Sequence, residues 1–178
     1  MTNEFTPPIC PENLTQEDQD VFWIEYAQTL AAKAEAIGEV PVGAVVVKNN
    51  QWVAEGWNQS IQNHDPTAHA EIIALKSAGQ ALDNYRLLDT TLYVTLEPCP
   101  MCAGAMVHAR VKRLVFGAFD EKTGAAGSIL DIADSELLNH QLEITGGVNQ
   151  LACSTQISHF FKKRRQFHKQ KKAQQVSK

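Results

Sequence analysis

Two short motifs in this chain of 178 residues combine metal-binding side chains with a carboxylate. The first is His-Ala-Glu at residues 69–71, and the second is Pro-Cys-Pro-Met-Cys at residues 98–102. One imidazole and two thiolates are typical zinc ligands, and a site with three protein ligands keeps its fourth tetrahedral position for water, as catalytic zinc sites do. We therefore predict one zinc ion per chain, bound by His69, Cys99 and Cys102.

Glu71 follows His69 by two residues and can lie beside this metal site without binding the ion. A carboxylate there can take a proton from an attacking water and deliver it to a ring nitrogen and to a leaving amine. Water attack on an amino-bearing ring carbon, followed by loss of ammonia, is deamination. His-x-Glu combined with Pro-Cys-x-x-Cys is the established signature of zinc-dependent base deaminases, and this sequence matches it. Glu71 is therefore our candidate catalytic residue.

Two other interpretations of the cysteine pair stay open at this point. Cys99 and Cys102 could form a thioredoxin-like redox pair, which also follows a strand and begins a helix, although His69 and Glu71 would then have no role. The site could also be a closed structural zinc site, and the candidates for its fourth ligand are Cys10, His108 and Cys153.

The elements around the motifs predict an α/β fold. We expect helices at residues 15–36, 68–77, 101–109 and 150 to about 172, and strands at 42–48, 52–56, 91–96, 113–118 and 142–145, with a loop at 58–66. Both motifs then fall at helix starts, where the positive end of the helix dipole favours thiolates. Strands alternating with helices predict a three-layer α/β/α sandwich, with a mixed five-stranded sheet, an antiparallel first hairpin and helices on both faces.

The domain organisation predicted from the sequence is simple. Residues 1–14 are rich in proline and carry no periodic pattern, so we expect a flexible leader. Residues 15–172 form one deaminase domain that ends in a basic helix, and residues 173–178 form a tail. No apolar run approaches the roughly 20 residues of a membrane helix, and the first residues lack the features of a secretory signal. We therefore expect no membrane association and a cytoplasmic location.

Charge is distributed unevenly along the chain. The formal net charge is −4, but no acidic residue follows Glu143. The end of the chain is instead basic, and its cations are Lys162, Lys163, Arg164, Arg165, Lys169, Lys171, Lys172 and Lys178. This asymmetry indicates either a polyanionic partner that docks on the basic end or a solvated helix end that aids solubility.

Longer stretches resemble the bacterial tRNA-specific adenosine deaminases (the TadA family) of the cytidine deaminase-like superfamily. The similarity runs from about Val21 to Lys172, and it is strongest in residues 39–44, 64–71, 84–87, 91–106 and 122–128. Residues 64–71 and 91–106 hold the zinc pattern of the whole superfamily. The Lys-Thr-Gly-Ala-Ala-Gly-Ser loop at 122–128 and the Phe-Phe-Lys-Lys-Arg-Arg run at 160–165 resemble the tRNA branch.

The resemblance implies conversion of adenosine to inosine at the wobble position of a tRNA anticodon. It also implies a homodimer with one Zn²⁺ per subunit and an anticodon stem-loop as the partner. The sequence departs from the family pattern in two places. Its leader is longer, and Phe119 stands before Asp120 where some relatives have an arginine.

Several further residues are candidates for contact with RNA. Asn58 can hydrogen-bond the flipped nucleotide or act only as a turn residue, and Asp120 can reach the ribose or the backbone. The pair Asn139 and His140 can meet the flanking bases or belong to an ordinary exposed loop. The basic end supplies Phe161, Arg164 and Arg165 for stacking and phosphate contact, or its phenylalanines form the apolar side of the last helix.

Two rival functions remain open at the level of sequence. The first is deamination of a free base or nucleoside, such as guanine, cytosine or cytidine. It needs the same zinc chemistry, but a small free substrate gives no reason for the basic end of the chain. A nucleic-acid-binding module with structural zinc needs no glutamate at position 71.

Overall fold

The computed structural model describes residues 6–176 of the chain, and side chains for residues 6–172. Its helices are α1 (Gln16–Ala36), α2 (Ser60–Asn63), α3 (Ala70–Ala81), α4 (Pro100–Ala109) and α5 (Gln150–Val176). Its strands are β1 (Gly43–Lys48), β2 (Gln51–Trp57), β3 (Thr90–Leu96), β4 (Arg113–Ala118) and β5 (Glu143–Gly146).

The five strands form one mixed sheet in the order β2-β1-β3-β4-β5. β1 pairs antiparallel with both β2 and β3, whereas β3, β4 and β5 run parallel. The parallel pair β3–β4 needs a crossover, and α4 supplies it. The carboxyl ends of β3 and β4 therefore lie beside the amino end of β1, and the metal-binding motif follows β3 at this edge.

Helices cover both faces of the sheet, which confirms the expected three-layer α/β/α sandwich. Ala74 of α3 and Met106 of α4 pack with Leu92 and Leu114 on one face. Trp23 of α1 and Cys153 of α5 pack with the residues that point to the other face of β1, β3 and β4. These residues are almost completely buried, so the two cores fix where each helix begins relative to the sheet.

An exposed helix cap and a buried ion pair hold the first helix in place. Thr15 caps α1 by accepting a hydrogen bond from the backbone N–H of Asp18, as the Thr-x-x-Asp spacing predicts. The carboxylate of Asp20 accepts hydrogen bonds from Nη1 and Nη2 of Arg113, at 2.7 and 2.6 Å, and from the hydroxyl of Tyr93. The ion pair thereby joins α1 to the middle of the sheet.

Several details differ from the sequence-based expectations. The expected loop at 58–66 contains the four-residue helix α2, and α3 continues to Ala81. Cys10 of the expected flexible leader is buried against the core around Trp23, so the leader packs on the domain at this residue. α5 extends to Val176, beyond its expected end, and the last two residues of the expected tail lie outside the described residues. Within residues 6–176, no helix is long and apolar enough to cross a membrane.

Candidate active site

The amino ends of two helices meet at the carboxyl edge of the sheet and place the three metal-binding side chains together. His69 is the N-cap residue of α3, and Cys99 is the N-cap residue of α4. Pro100 begins α4, where a proline costs little because its missing N–H would have no helical partner. Cys102 lies in the first turn of α4, so that its thiol and that of Cys99 face the same space.

The distances between these side chains fit a zinc ion. The Nδ1 atom of His69 lies 3.7 Å from Sγ of Cys99 and 3.6 Å from Sγ of Cys102. With zinc bonds of about 2.0–2.1 Å to nitrogen and about 2.3 Å to sulfur, tetrahedral geometry separates such ligand atoms by about 3.6 Å. Among the described residues, this is the group of three or more metal-binding side chains whose ligand atoms all lie within 4.8 Å of one another.

Hydrogen bonds among the three ligand side chains shift their pKa values in different directions: the pKa of Cys99 is lowered, and those of His69 and Cys102 are raised. A hydrogen bond from Cys102, with a second one from His69, lowers the pKa of the Cys99 thiol to about 4. The pKa of His69 is raised, chiefly by its hydrogen bond with Cys99. Zinc needs thiolates and a neutral imidazole, so the ion displaces the protons that these three groups share.

Glu71 lies beneath the three ligands in the first turn of α3. Only 4% of its surface is exposed, and burial raises the pKa of its carboxyl above the usual value. It contacts the Cys102 thiol and lines the same pocket as His69 and Cys99. A buried carboxyl at this place can exchange protons with a molecule in the pocket but has little access to bulk water.

The pocket in front of these residues has a volume of about 190 Å³. Its lining residues are Val40, Val42, Asn58, His69, Glu71, Leu96, Glu97, Cys99, Asp120 and Thr123. Val40, Val42 and Leu96 supply the apolar part of the lining, and the other lining residues carry polar side chains. A cavity of this size and character suits one planar ring rather than a whole nucleotide.

Asn58 reaches this pocket from the end of β2. Its Oδ1 accepts a hydrogen bond from the backbone N–H of Ala70 at 2.9 Å, which fixes the orientation of the amide because only the oxygen can accept. The Nδ2 group is thereby left to donate toward the pocket. Gly56 contributes to the same arrangement, since a Cβ there would overlap the backbone of Ala70.

Asp120 also lines the pocket, but its carboxylate is engaged within its own loop. The two oxygens accept hydrogen bonds from the backbone N–H groups of Lys122 and Thr123 and from the Thr123 hydroxyl. Asp120 therefore shapes the turn at the pocket mouth, and the hydroxyl of Thr123 becomes part of the wall.

Asn139 and His140 lie at the far end of α4 from the metal-binding residues. The guanidinium of Arg110, which caps the carboxyl end of α4, binds the side chain and carbonyl of Asn139. His140 donates a hydrogen bond from Nε2 to the carbonyl oxygen of Val111, 2.7 Å away. A helix of ten residues is about 15 Å long, so neither residue belongs to the pocket.

The aromatic and basic residues of α5 are divided between core and surface. Phe160 is buried, whereas Phe161 is 39% exposed and packs edge-on against it. The guanidinium of Arg164 lies over the Phe160 ring at 5.9 Å, and Arg165 is exposed. Lys163 pairs with Glu35, in the last turn of α1, at 3.2 Å. Glu35 precedes Val40 of the pocket lining by five residues, so this ion pair brings Lys163 near the chain segment that leads to the pocket.

The other candidate zinc ligands lie elsewhere. Cys10 and Cys153 belong to the core on the opposite face of the sheet, and His108 is in the last turn of α4. None of them joins the group formed by His69 and the two cysteines, which argues against a closed structural zinc site.

Sequence reasoning missed some residues of the pocket. Glu97 and Thr123 line it, and the sequence analysis assigned neither of them a role. Glu97 stands directly before the Pro-Cys motif, which is the one signal that could have drawn attention to it. The contacts that bring Thr123 to the pocket depend on the fold of its loop.

This fold and this site define the class of zinc-dependent base deaminases. Residues 17–118 match the family model described as the cytidine and deoxycytidylate deaminase zinc-binding region. The matched span includes His69, Glu71, Cys99 and Cys102.

The relatives identify the family more narrowly. A tRNA-specific adenosine deaminase of Haemophilus influenzae is 58% identical over 151 residues, which cover 84% of this chain and 87% of that protein. The chain belongs to the family of tRNA-specific adenosine deaminases.

Two solved structures share the fold. One, from studies of A-to-I editing by tRNA A34 deaminases at the wobble position of transfer RNA, has a TM-score of 0.73 and 37% identity, over 76% of this chain and 98% of that chain. A guanine deaminase of Bacillus subtilis has a TM-score of 0.54 and 40% identity, over 60% of this chain and 66% of that chain. The same architecture therefore also occurs in a protein named for a free base.

Proposed function

We propose that this protein hydrolyses adenosine to inosine at the wobble position of a tRNA anticodon. The observation that carries the proposal is the meeting of His69, Cys99 and Cys102 with the buried Glu71 in one pocket of single-ring size. In this reaction a ring carbon loses its exocyclic amino group as ammonia and gains the oxygen of a water molecule.

The side chains at the site have two roles in the reaction, metal binding and proton transfer. Zinc held by His69, Cys99 and Cys102 would supply a Lewis acid that makes water acidic enough to attack at neutral pH. Glu71 accepts the proton of the attacking water and passes it to the ring nitrogen next to the reacting carbon. It then takes the second proton from the new hydroxyl group on the ring carbon and delivers it to the amino group. The carbon–nitrogen bond breaks, ammonia departs and the carboxylate is regenerated.

Asn58 orients the base for this attack. Because its Oδ1 is committed to the N–H of Ala70, its Nδ2 donates a hydrogen bond to an acceptor atom of the base or ribose. Val42 and Leu96 contact the faces of the ring, and water is excluded when the base fills the pocket. A base must leave its stack to reach such a pocket, and a single-stranded anticodon loop allows this at low energetic cost.

The basic end of α5 binds the phosphates of the stem-loop. Its support is the Lys163–Glu35 contact, which brings the segment with Arg164, Arg165 and the partly exposed Phe161 near the chain that leads to the pocket. Cations of this kind neutralise RNA phosphates, and an exposed aromatic ring can stack on an unpaired base. Asp120 meets the RNA backbone beside the pocket, and Asn139 and His140 can contact only nucleotides outside it.

Deamination of a free base is the alternative function, favoured by the small pocket and by the likeness to a guanine deaminase. The basic, partly aromatic surface of α5 favours the polymer, because a neutral free base offers no charge for it to bind.

The assembly and location that we propose follow from the substrate and the family. The apolar side chains of Ile129, Leu130 and Leu138 are exposed, and they would be buried in the contact between two copies of a homodimer. A tRNA substrate is consistent with the cytoplasm.

One comparison of substrates separates the two functions. Purified, zinc-loaded protein is incubated in parallel with an anticodon stem-loop that carries a wobble adenosine, with free adenosine, with guanine and with cytidine. Inosine in the stem-loop, at a rate well above that for any free compound, supports the proposal. Preferential release of ammonia from guanine or cytidine contradicts it.

A further inference from the structure

Glu97 is a buried carboxyl group to which the deamination chemistry gives no role. Its residue is only 2% exposed, and it lies two positions before Cys99 in the turn between β3 and α4. Its oxygens accept four hydrogen bonds, from the backbone N–H groups of Asp120, Ala126 and Ser128 at 3.0, 3.1 and 3.0 Å and from the Ser128 hydroxyl. All four donors come from the loop 120–128.

Apart from Glu97, the loop 120–128 is held by backbone hydrogen bonds and by the buried side chain of Ala125. Residues 124–127 are Gly-Ala-Ala-Gly, so the apolar side-chain surface that they bury is limited to two methyl groups. Ala125 donates a backbone hydrogen bond to the carbonyl of Pro98 at 2.8 Å, which adds an anchor next to Glu97. A loop of this composition depends on its hydrogen bonds for a fixed position.

The fit between this loop and the carboxyl group is tight. A Cβ atom at Gly124 would overlap the carboxyl of Glu97, so a residue with a side chain cannot occupy this position unless the loop or the carboxyl moves. The loop in turn carries Asp120 and Thr123 into the wall of the pocket. A movement of the loop away from Glu97 would therefore widen the pocket at the side opposite Val40 and Val42.

We propose that Glu97 is a positioning residue that fixes the loop 120–128 as one wall of the pocket and thereby sets how tightly the RNA around the reacting base is held. The effect on RNA rests on the proposed function. The fixing of the loop does not, because it concerns only contacts within the chain. Glu97 does not touch the reacting atoms, so it acts on binding through Asp120 and Thr123 rather than on the chemical step.

Three substitutions perturb the contact to different degrees. Ser128→Ala removes one hydrogen bond and leaves the carboxyl in place. Glu97→Gln keeps the size of the side chain but turns one acceptor into a donor that faces other donors. Gly124→Ala pushes the carboxyl away from the loop side. Glu39→Gln is the matched control, because Glu39 is equally buried and accepts a backbone hydrogen bond from Gln62 but does not contact the loop.

The first readout is hydrogen–deuterium exchange at the amides of residues 120, 126 and 128 in the zinc-loaded protein. We expect exchange at these amides to rise about tenfold or more in Glu97→Gln, and by less in Ser128→Ala, as these hydrogen bonds are lost. Glu39→Gln should leave them unchanged. Unchanged exchange in Glu97→Gln would overturn the proposal, whatever the substrate of the enzyme is.

The second readout is the kinetics on the wobble-adenosine stem-loop, with zinc content and melting temperature measured on the same samples. We expect KM to rise about tenfold in Glu97→Gln and Gly124→Ala, while kcat and the zinc content stay near those of the wild type. A fall in kcat or loss of zinc with KM unchanged would mean that Glu97 acts on Cys99 instead, which contradicts the proposal. A wild-type enzyme that does not act on the stem-loop refutes the proposed function, and the exchange data still decide whether Glu97 fixes the loop.

Discussion

The Sγ atom of Cys99 lies 3.7 Å from Nδ1 of His69, although the two residues are 30 positions apart in the chain. Each is the N-cap residue of a helix, and the two helices lie on the same face of the sheet. Helix packing on that face therefore creates the metal site, and the local sequence around each residue supplies only the ligand.

The first prediction concerns the metal. Protein purified without chelator should contain one zinc per chain, and Cys99→Ala or His69→Ala should lose most of it, because two remaining ligands hold zinc weakly. Elemental analysis of the folded variants measures this. Cys10→Ala removes a thiol from the opposite face of the sheet and should retain one zinc. Full zinc occupancy in Cys99→Ala would require another protein ligand and would rule out the three-ligand site.

The second prediction concerns proton transfer. Glu71→Gln should still bind zinc and the stem-loop, but its turnover should fall by at least ~10²–10⁴-fold, the usual contribution of a general acid–base group. Single-turnover kinetics with saturating enzyme measures the chemical step. Glu25→Gln alters an exposed glutamate of α1 and should behave as the wild type does. If Glu71→Gln stays within about tenfold of the wild-type rate, that residue is not the proton shuttle.

The third prediction concerns the basic end of α5. Replacing Lys163, Arg164 and Arg165 with alanine should raise KM for the stem-loop and make this KM less dependent on salt concentration. Binding through fewer phosphate contacts releases fewer counterions from the RNA. The matched control replaces Lys48 and Lys112, which lie at the opposite end of the sheet from the pocket. It should change the salt dependence much less.

Melting temperature separates the two roles that this segment could have. Arg164 contacts the ring of Phe160, and Lys163 pairs with Glu35, so a purely structural segment would lose stability when these side chains are removed. Both Lys163 and Glu35 are partly exposed, and an exposed pair contributes at most about 1 kcal/mol. We therefore expect a small decrease in melting temperature. Unchanged affinity for RNA at low salt would show that the segment does not contact it.

The fourth prediction concerns Phe119, which directly precedes Asp120. Its ring is 46% exposed and packs edge-on against Phe116 at 5.1 Å, next to Asp120 of the pocket wall. Phe119→Arg should add a phosphate contact. The slope of log K for RNA binding against log salt concentration should then become more negative by about 1. It should also lose the ring contact, worth about 0.5–1.5 kcal/mol. A binding isotherm that is unchanged at every salt concentration would show that position 119 does not face the RNA.

The sequence was sufficient to predict those strands, helices and motifs that carry a local signal. β-Branched runs and helix caps predicted nearly every strand and helix, and the spacing of His69, Glu71, Cys99 and Cys102 predicted which side chains would meet. These predictions succeeded because each motif begins a helix, and because a helix start is a local property.

The parts that could not be predicted depend on contacts between distant residues. The burial of Cys10 requires the core around Trp23, and no periodic pattern in the leader indicates it. The hydrogen bonds of Glu97 join residues 23 to 31 positions apart, and a glutamate in a sequence gives no sign that it will be buried. Asn139 and His140 were expected either to meet bases beside the target or to belong to an ordinary exposed loop, and the contact of Asn139 with the arginine that caps α4 depends on a residue 29 positions away.

The most direct test of wobble deamination follows the oxygen of water into the RNA. An anticodon stem-loop with a single wobble adenosine is incubated with the zinc-loaded enzyme in water enriched in the heavy oxygen isotope, and the nucleosides are analysed by mass spectrometry after digestion. We predict heavy-oxygen inosine from the wobble position, an equal amount of ammonia, and neither product with Glu71→Gln. Unchanged adenosine in the RNA, under conditions in which the same enzyme deaminates guanine or cytidine, would contradict the proposal.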